Sequence, residues 1–376
     1  MIVTAVIAEF NPLHKGHHAL LKSIDDKCVV ILSSNFTQRG SPALIDKFIR
    51  ADMAVRAGAD LVIELPFLFA CSAGQDFARG AVDVIARSGL ADSITFGMED
   101  VNFPFESLAD EIKRKPETYN DGLHFEMKKG ASYSKAHALA LERVMPGAYE
   151  FISKPNNMLA LSYTLEIKRH NYNLKIIPIK RTGDFRSRLI REDMNANFEM
   201  MPDFSREILM NARHNGRVSD ESKLWLMIQS MFIRCRREEL RKIYGIDEGI
   251  EGLFMKHYRD SHGLDDFIGR CVCARYTRSH IRRRLVYMLL GLNRYEVTGA
   301  IRGGVPYVRV LAFNERGREI LREHESKIPV ITRLSEARTR TGRFFADTEF
   351  KASSLYELLT ERPDMNHETQ RVLKFP

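Results

Sequence analysis

The densest chemistry in the sequence is a pair of histidines, His14 and His17, separated by Lys15 and Gly16. An apolar run from Val3 to Ala8 precedes them and reads as a buried parallel strand. It breaks at Asn11-Pro12, a turn signal, and an apolar helical pattern follows Gly16. A strand, a tight turn and a helix start make an anion site, because the first N–H groups of a helix lack partners and its dipole favours negative charge. Gly16 lets a phosphate approach the backbone, and two imidazoles can donate to phosphate oxygens. The stretch reads as an ATP site.

The elements that must position this stretch alternate. Further apolar runs at 28–34, 61–65, 94–97 and 174–179 read as strands, with helical patterns at 45–57, 77–88 and from 155 onward. Such alternation predicts βαβ crossovers and a Rossmann-like, doubly wound parallel α/β sheet of about five strands. Ligands in such sheets bind beyond the carboxyl ends of the strands. In the 45–57 helix, Lys47 and Arg50 are expected on the exposed side. Residues 102–150 are more polar, and 119–134 reads as a surface excursion. Asn156 or Asn157 is placed to cap the next helix.

After Gly183 the pattern becomes helical, and two regions are expected. Residues 1–200 form the nucleotide-binding domain. Residues 201–376 form a mainly helical basic region with a small C-terminal α/β element around 306–332. Within it, Arg270, Arg275, Arg278, Arg282, Arg283 and Arg284 occur in fifteen residues without one acid, with Tyr276 and His280 interleaved. Such a run suits RNA phosphates.

Of the 376 residues 44% are hydrophobic, enough for a sizeable core, and the formal net charge is +8, which favours an acidic partner. The five cysteines are sparse. Cys271-Val-Cys273 lacks the two-residue spacer of a zinc knuckle, so structural thiols and no protein-held metal are expected. No apolar run reaches the length of a membrane span, and the start of the chain reads directly into a strand, so a cytoplasmic protein without membrane contact is expected.

The motifs in order carry a more specific signal. Glu9-Phe-Asn-Pro-Leu-His-Lys-Gly-His resembles the His-x-Gly-His motif of the nucleotidylyltransferase superfamily. With Asn35-Phe-Thr-Gln-Arg-Gly-Ser-Pro-Ala, Phe96-Gly-Met-Glu, Lys154-Pro-Asn-Asn-Met-Leu, Ile179-Lys-Arg-Thr-Gly, Ala274-Arg-Tyr-Thr-Arg and Ala312-Phe-Asn-Glu-Arg-Gly-Arg, the chain resembles the bacterial tRNA(Met) cytidine acetate ligase family over most of its length. The resemblance implies activation of acetate with ATP and magnesium, then transfer of the acetyl group to N4 of the wobble cytidine of elongator tRNA(Met). It implies His14 and His17 as catalytic residues. It implies an ATP-binding segment of Ile7, Ala8, Glu9, Phe10, Asn11, Pro12, Leu13, His14, Lys15, Gly16, His17, His18, Ala19 and Leu20, with Gly97, Asn157 and Arg181 as further ATP contacts. Arg275, Arg278, Arg282, Arg283 and Arg284 are the expected tRNA contacts.

Two stretches depart from the pattern: Ser33-Ser34-Asn35-Phe36 and Gly40-Ser41-Pro42 stand where the family has Ser-Gly-x-Phe and Gly-Glu-Pro, and the other departure is at 185–191. Superfamily members usually carry a Ser/Thr-rich segment ending in Ile-Arg, where this chain has Phe185-Arg-Ser-Arg-Leu-Ile-Arg. Two other readings stay open beside the ligase. A nucleotidyltransferase acting on a small phosphorylated metabolite has no use for the basic half. A non-catalytic RNA-binding paralogue would bind tRNA without ATP.

Overall fold

The computed structural model describes residues 2–181, 183–247, 249–369 and 372–376. Strands β1 (Val3–Ala8), β2 (Lys27–Ser33), β3 (Leu61–Leu65), β4 (Ser93–Met98) and β5 (Lys175–Lys180) run parallel in the order β5-β4-β1-β2-β3. Their near-continuous apolar runs follow from burial on both faces, which helices on each side provide. The order places β1 between β2 and β4, so the chain reverses its direction of growth there. The crevice at that switch point is where a doubly wound sheet takes its ligand.

The expected division near residue 200 does not interrupt the sheet. β6 (Val308–Phe313) pairs antiparallel with β3, and β7 (Val330–Ile331) and β8 (Leu373–Lys374) pair parallel with β6. The short C-terminal strands therefore extend the first sheet. Thr182, part of the Ile179–Gly183 motif, lies outside the described residues.

Eight helices matter for the site. They are α1 (Lys15–Lys22), α2 (Lys47–Arg56), α3 (Gly74–Ser88), α4 (Pro155–His170), α5 (Ser187–Glu192), α6 (Leu264–Cys271), α7 (Arg278–Leu289) and α8 (Arg340–Glu357). The excursion at 119–134 belongs to a packed helix pair, Pro116–Lys128 with Tyr133–Val144.

The expected exposure of Lys47 and Arg50 is overturned: both side chains are fully buried. Lys47 Nζ lies 2.5 Å from Glu64, 2.8 Å from Glu349 and 2.9 Å from Glu368. Arg309 pairs with Glu64 and Glu368 in the same cluster. Arg50 donates to the carbonyls of Glu9, Ser34 and Ile45. A charged helix face normally meets water. Here carboxylates from β3, α8 and the C-terminal segment replace the water, so the pairing is invisible to local periodicity.

Candidate active site

β1 ends where the backbone turns sharply. Phe10 takes φ 45°, a left-handed conformation uncommon for a bulky residue, and Asn11-Pro12 is cis. The turn is fastened from three sides. Asn11 Oδ1 accepts from Leu44 N at 2.7 Å, Ser187 Oγ donates to Pro12 O at 3.0 Å, and Ser205 Oγ donates to Leu13 O at 2.9 Å. Arg191 adds a hydrogen bond to Asn11 O. The divergent Phe185–Arg191 stretch thus still clasps the loop, as the start of α5.

The turn delivers His14 as the N-cap of α1. His14 Nδ1 accepts from His17 N at 3.2 Å, and His17 Nδ1 accepts from His14 N at 3.3 Å. The rings stack with centroids 3.6 Å apart and 9° between planes. A ring whose Nδ1 accepts an N–H carries its proton on Nε2 when neutral. Both rings are held neutral. Burial, and then the charge of Arg181, lower His14 to about 4. Burial, His14 and Arg181 hold His17 well below the usual imidazole range. The pair therefore presents two Nε2–H donors without competing positive charge. Gly16 suits the site, since a Cβ would sit 3.1 Å from His14 Cε1 and 3.4 Å from the Phe185 ring, and the rings would have to give by a few tenths of an ångström.

These groups line a cavity of about 1120 Å³. That exceeds the roughly 300–1,000 Å³ of common ligand pockets, so a nucleotide leaves room for a second substrate. From the expected segment, Ile7, Ala8, Glu9, Phe10, Asn11, His14, Gly16, His17, Ala19 and Leu20 reach the wall. Pro12, Leu13, Lys15 and His18 do not. Leu13 joins the core, Lys15 faces solvent, and His18 packs edge-on against Phe204 at 5.5 Å.

Gly97 and Arg181 both reach the wall, and a Cβ on Gly97 would stand 3.0 Å from Arg181 Cγ. Arg181 is steadied by the carbonyl of Phe185 at 3.2 Å and by Glu99 at 3.9 Å. Asn157, expected on the ATP, is instead fully buried behind the wall. Its Oδ1 accepts from the backbone N–H groups of Glu99 and Asp100, and its Nδ2 donates to Phe151 O. Its neighbour Asn156 reaches the cavity and donates to Glu99 Oε1 at 2.6 Å. Neither asparagine caps α4, which starts from Lys154 with Pro155 at its first turn.

The arginine run divides. Arg275, Arg283 and Arg284 line the same cavity, joined by Ser279 and His280. Arg278 and Arg282 turn away toward acids distant in sequence. Arg278 pairs with Asp265 of α6, and Arg282 lies 3.1 Å from Glu221 and 3.6 Å from Asp265. Glu9 is the one carboxylate among the described residues of the wall, facing Arg39, Lys180, Arg181, Arg191 and the arginines of α7. The cavity is built for anions. Sequence reasoning missed Gln38, Arg39, Gln75, the Ser132–Ser134 end of the excursion and His137 just beyond it. Only Gln38 and Arg39 lay in a motif that could have signalled them.

A buried crevice at the switch point, with a His-x-Gly-His helix cap and cationic walls, defines a nucleotidyl transferase. Residues 1–371 match the HIGH Nucleotidyl Transferase family. Among curated proteins, the chain is 31% identical to the tRNA(Met) cytidine acetate ligase of Thermoanaerobacter sp. (strain X514), over 95% of each chain. It is 34% identical to the enzyme of that name from Thermotoga petrophila, over 87% of this chain and 86% of the relative. A solved structure of Thermotoga maritima TmcAL bound with alpha-thio ATP superposes with TM-score 0.90 at 29% identity, covering 100% of both chains. The chain belongs to the tRNA(Met) cytidine acetate ligase family of HIGH nucleotidyl transferases.

Proposed function

We propose that the protein activates acetate with ATP and transfers the acetyl group to N4 of the wobble cytidine of elongator tRNA(Met). The observation that carries this reading is one cation-lined cavity that joins the His14–His17 cap to the arginines of α7. A nucleotide site and a basic RNA-facing helix share one chamber, which a small-metabolite transferase would not need. The retained clasp of Ser187 and Arg191 on the nucleotide loop argues against a vestigial site.

The chemistry asks for positioning and charge neutralisation. The two Nε2–H groups and the N-terminus of α1 receive phosphate oxygens, with Arg181 and Arg191 on the flanks. Because the imidazoles are neutral, they hydrogen-bond the developing charge without giving up a proton. Attack of acetate on the α-phosphorus releases pyrophosphate and leaves acetyl-adenylate. In the second step N4 of cytidine bonds to the acetyl carbon, the carbon–oxygen bond to AMP breaks, and N4 loses a proton. Arg275, Arg283 and Arg284 are the tRNA-run residues placed at this chamber. Arg278 and Arg282 act there only if RNA displaces their acidic partners.

Magnesium would travel with the triphosphate, whose oxygens it prefers, and screen its charge. Glu9 is the protein carboxylate available to its water shell. The carboxylates of Glu64, Glu349 and Glu368 lie within 4.8 Å of one another, but Lys47 occupies their centre and the cluster is structural.

Incubating the protein with ATP, acetate and unmodified tRNA, followed by nucleoside mass spectrometry, tests the reading. N4-acetylcytidine confined to elongator tRNA(Met) is expected. Its absence in the presence of demonstrable tRNA and ATP binding would refute it.

A further inference from the structure

We propose that Arg283 is the anchor for the acetate carboxylate, an inference that rests on the acetate-activating reading above. Arg283 is 7% exposed, yet its side chain reaches the cavity wall. Its Nη1 donates to the carbonyl of Gln38 at 2.9 Å, and its Nε has no partner. The other buried arginines have anions or several carbonyls against them, although Arg309 Nε too is without a partner. Arg309 has Glu64 and Glu368, and Arg50 has three carbonyls. Among the described residues Arg283 has no ion pair, and the acid whose field reaches it, Asp76, stands outside pairing distance. A buried guanidinium without an anion is costly, and the cost falls away when an anion binds.

The surroundings select the kind of anion. His280 adds a buried Nε2 without a partner, and Ser279 and Arg284 stand on the same stretch of wall. Ala73 and Phe77 supply apolar wall where a methyl group can rest. A small carboxylate reaches a guanidinium at this depth, whereas a phosphodiester must bring its sugars with it. Planar carboxylate also matches the guanidinium fork.

The anchor is tied to the nucleotide site. Gly40 has φ +82°, and a Cβ there would lie 2.5 Å from Arg283 N, so the 37–41 loop and α7 touch backbone to backbone. In that loop Gln38 N donates to Glu9 Oε1 at 2.8 Å, at the end of β1. Arg283 holds one carboxylate oxygen while the other bonds to the α-phosphorus. The bond from that phosphorus to the bridging oxygen breaks, and pyrophosphate leaves with the electron pair. Acetate is already ionised, so no proton moves.

The test is pyrophosphate exchange into ATP without RNA, measured against acetate concentration. Arg283→Gln should raise the acetate KM roughly tenfold to a hundredfold, the range for losing a charge-assisted hydrogen bond. Arg283→Lys should fall between it and the wild type, with the KM for ATP held within about twofold in both. Should Arg283→Gln fail to fold, the wild-type protein serves: acetate should slow phenylglyoxal modification of Arg283, read by peptide mass spectrometry. An unchanged acetate KM with loss of transfer to tRNA would overturn the anchor in favour of an RNA phosphate contact. Absence of acetate-dependent exchange in the wild type would instead overturn the acetate-activating reading itself.

Discussion

His14 and His17 cap one another. Each ring accepts the other's backbone N–H through Nδ1, at 3.2 and 3.3 Å, and the rings stack at 3.6 Å. The arrangement fixes tautomer, orientation and helix start together, so the motif is at once a helix cap and a phosphate clamp. The two roles can be separated. Asparagine is a strong N-cap but presents no Nε2–H into the cavity. His14→Asn should therefore change stability by less than about 1 kcal/mol while lowering pyrophosphate exchange by roughly 10² to 10³. Thermal melting alongside exchange kinetics checks this, and equal losses in both would show that the ring serves only as a cap.

Four histidines of the cavity wall are kept neutral mainly by burial: His14 and His137 at about 4, His280 at about 3, and His17 well below its usual range. In the unfolded chain each binds a proton near pH 6.5. The unfolded state thus holds more protons between pH 6.5 and 4, so stability falls as pH falls through that window. His14 alone accounts for on the order of 3 kcal/mol at its lower end. Melting temperatures from pH 8 to 4.5 should show this slope, reduced in His14→Asn. An identical slope in that variant would contradict the account.

Gly97 admits Arg181 to the cavity. A Cβ would meet Arg181 Cγ at 3.0 Å, so the arginine has to give by a few tenths of an ångström, which strains its seat against Phe185 and Glu99. Gly97→Ala should weaken ATP binding by roughly tenfold, about the worth of one charge-assisted hydrogen bond. Arg181→Ala should do the same, and the double variant should lose little more. Additive losses measured by calorimetry would mean that the glycine acts independently of the arginine.

Lys47 and Arg309 together face three carboxyl groups, a cluster that joins α2, β3, β6, α8 and the C-terminal segment. Burial, followed by the charge of Glu349, pushes Glu64 up to about 8. Replacing Lys47 with methionine leaves the three carboxyl groups sharing Arg309 alone, with Glu349 losing its cation. Denaturant unfolding should show a loss of roughly 3–5 kcal/mol. A loss under about 1 kcal/mol would mean that the cluster simply takes up further protons.

The parallel sheet was legible because its strands are buried on both faces and spaced by helices. Val3–Ala8 and Leu61–Leu65 match their apolar runs residue for residue. His14, Gly16 and His17 were legible because their chemistry is local, set by a strand end and a helix start. What the sequence hid was non-local. Lys47 reads as a surface residue because Glu349 and Glu368 lie three hundred positions away. Arg278 and Arg282 read as free because Asp265 and Glu221 are outside the run. Asn156 and Asn157 are adjacent, and only the packing of Asn157 against the Glu99–Asp100 backbone decides which one faces the cavity.

The central claim is that this cavity makes an acyl-adenylate before any RNA arrives. The direct measurement is exchange of labelled pyrophosphate into ATP with acetate present and tRNA absent. The account predicts exchange that depends on acetate and disappears in His17→Ala. Exchange that needs tRNA, or that proceeds without acetate, would contradict it.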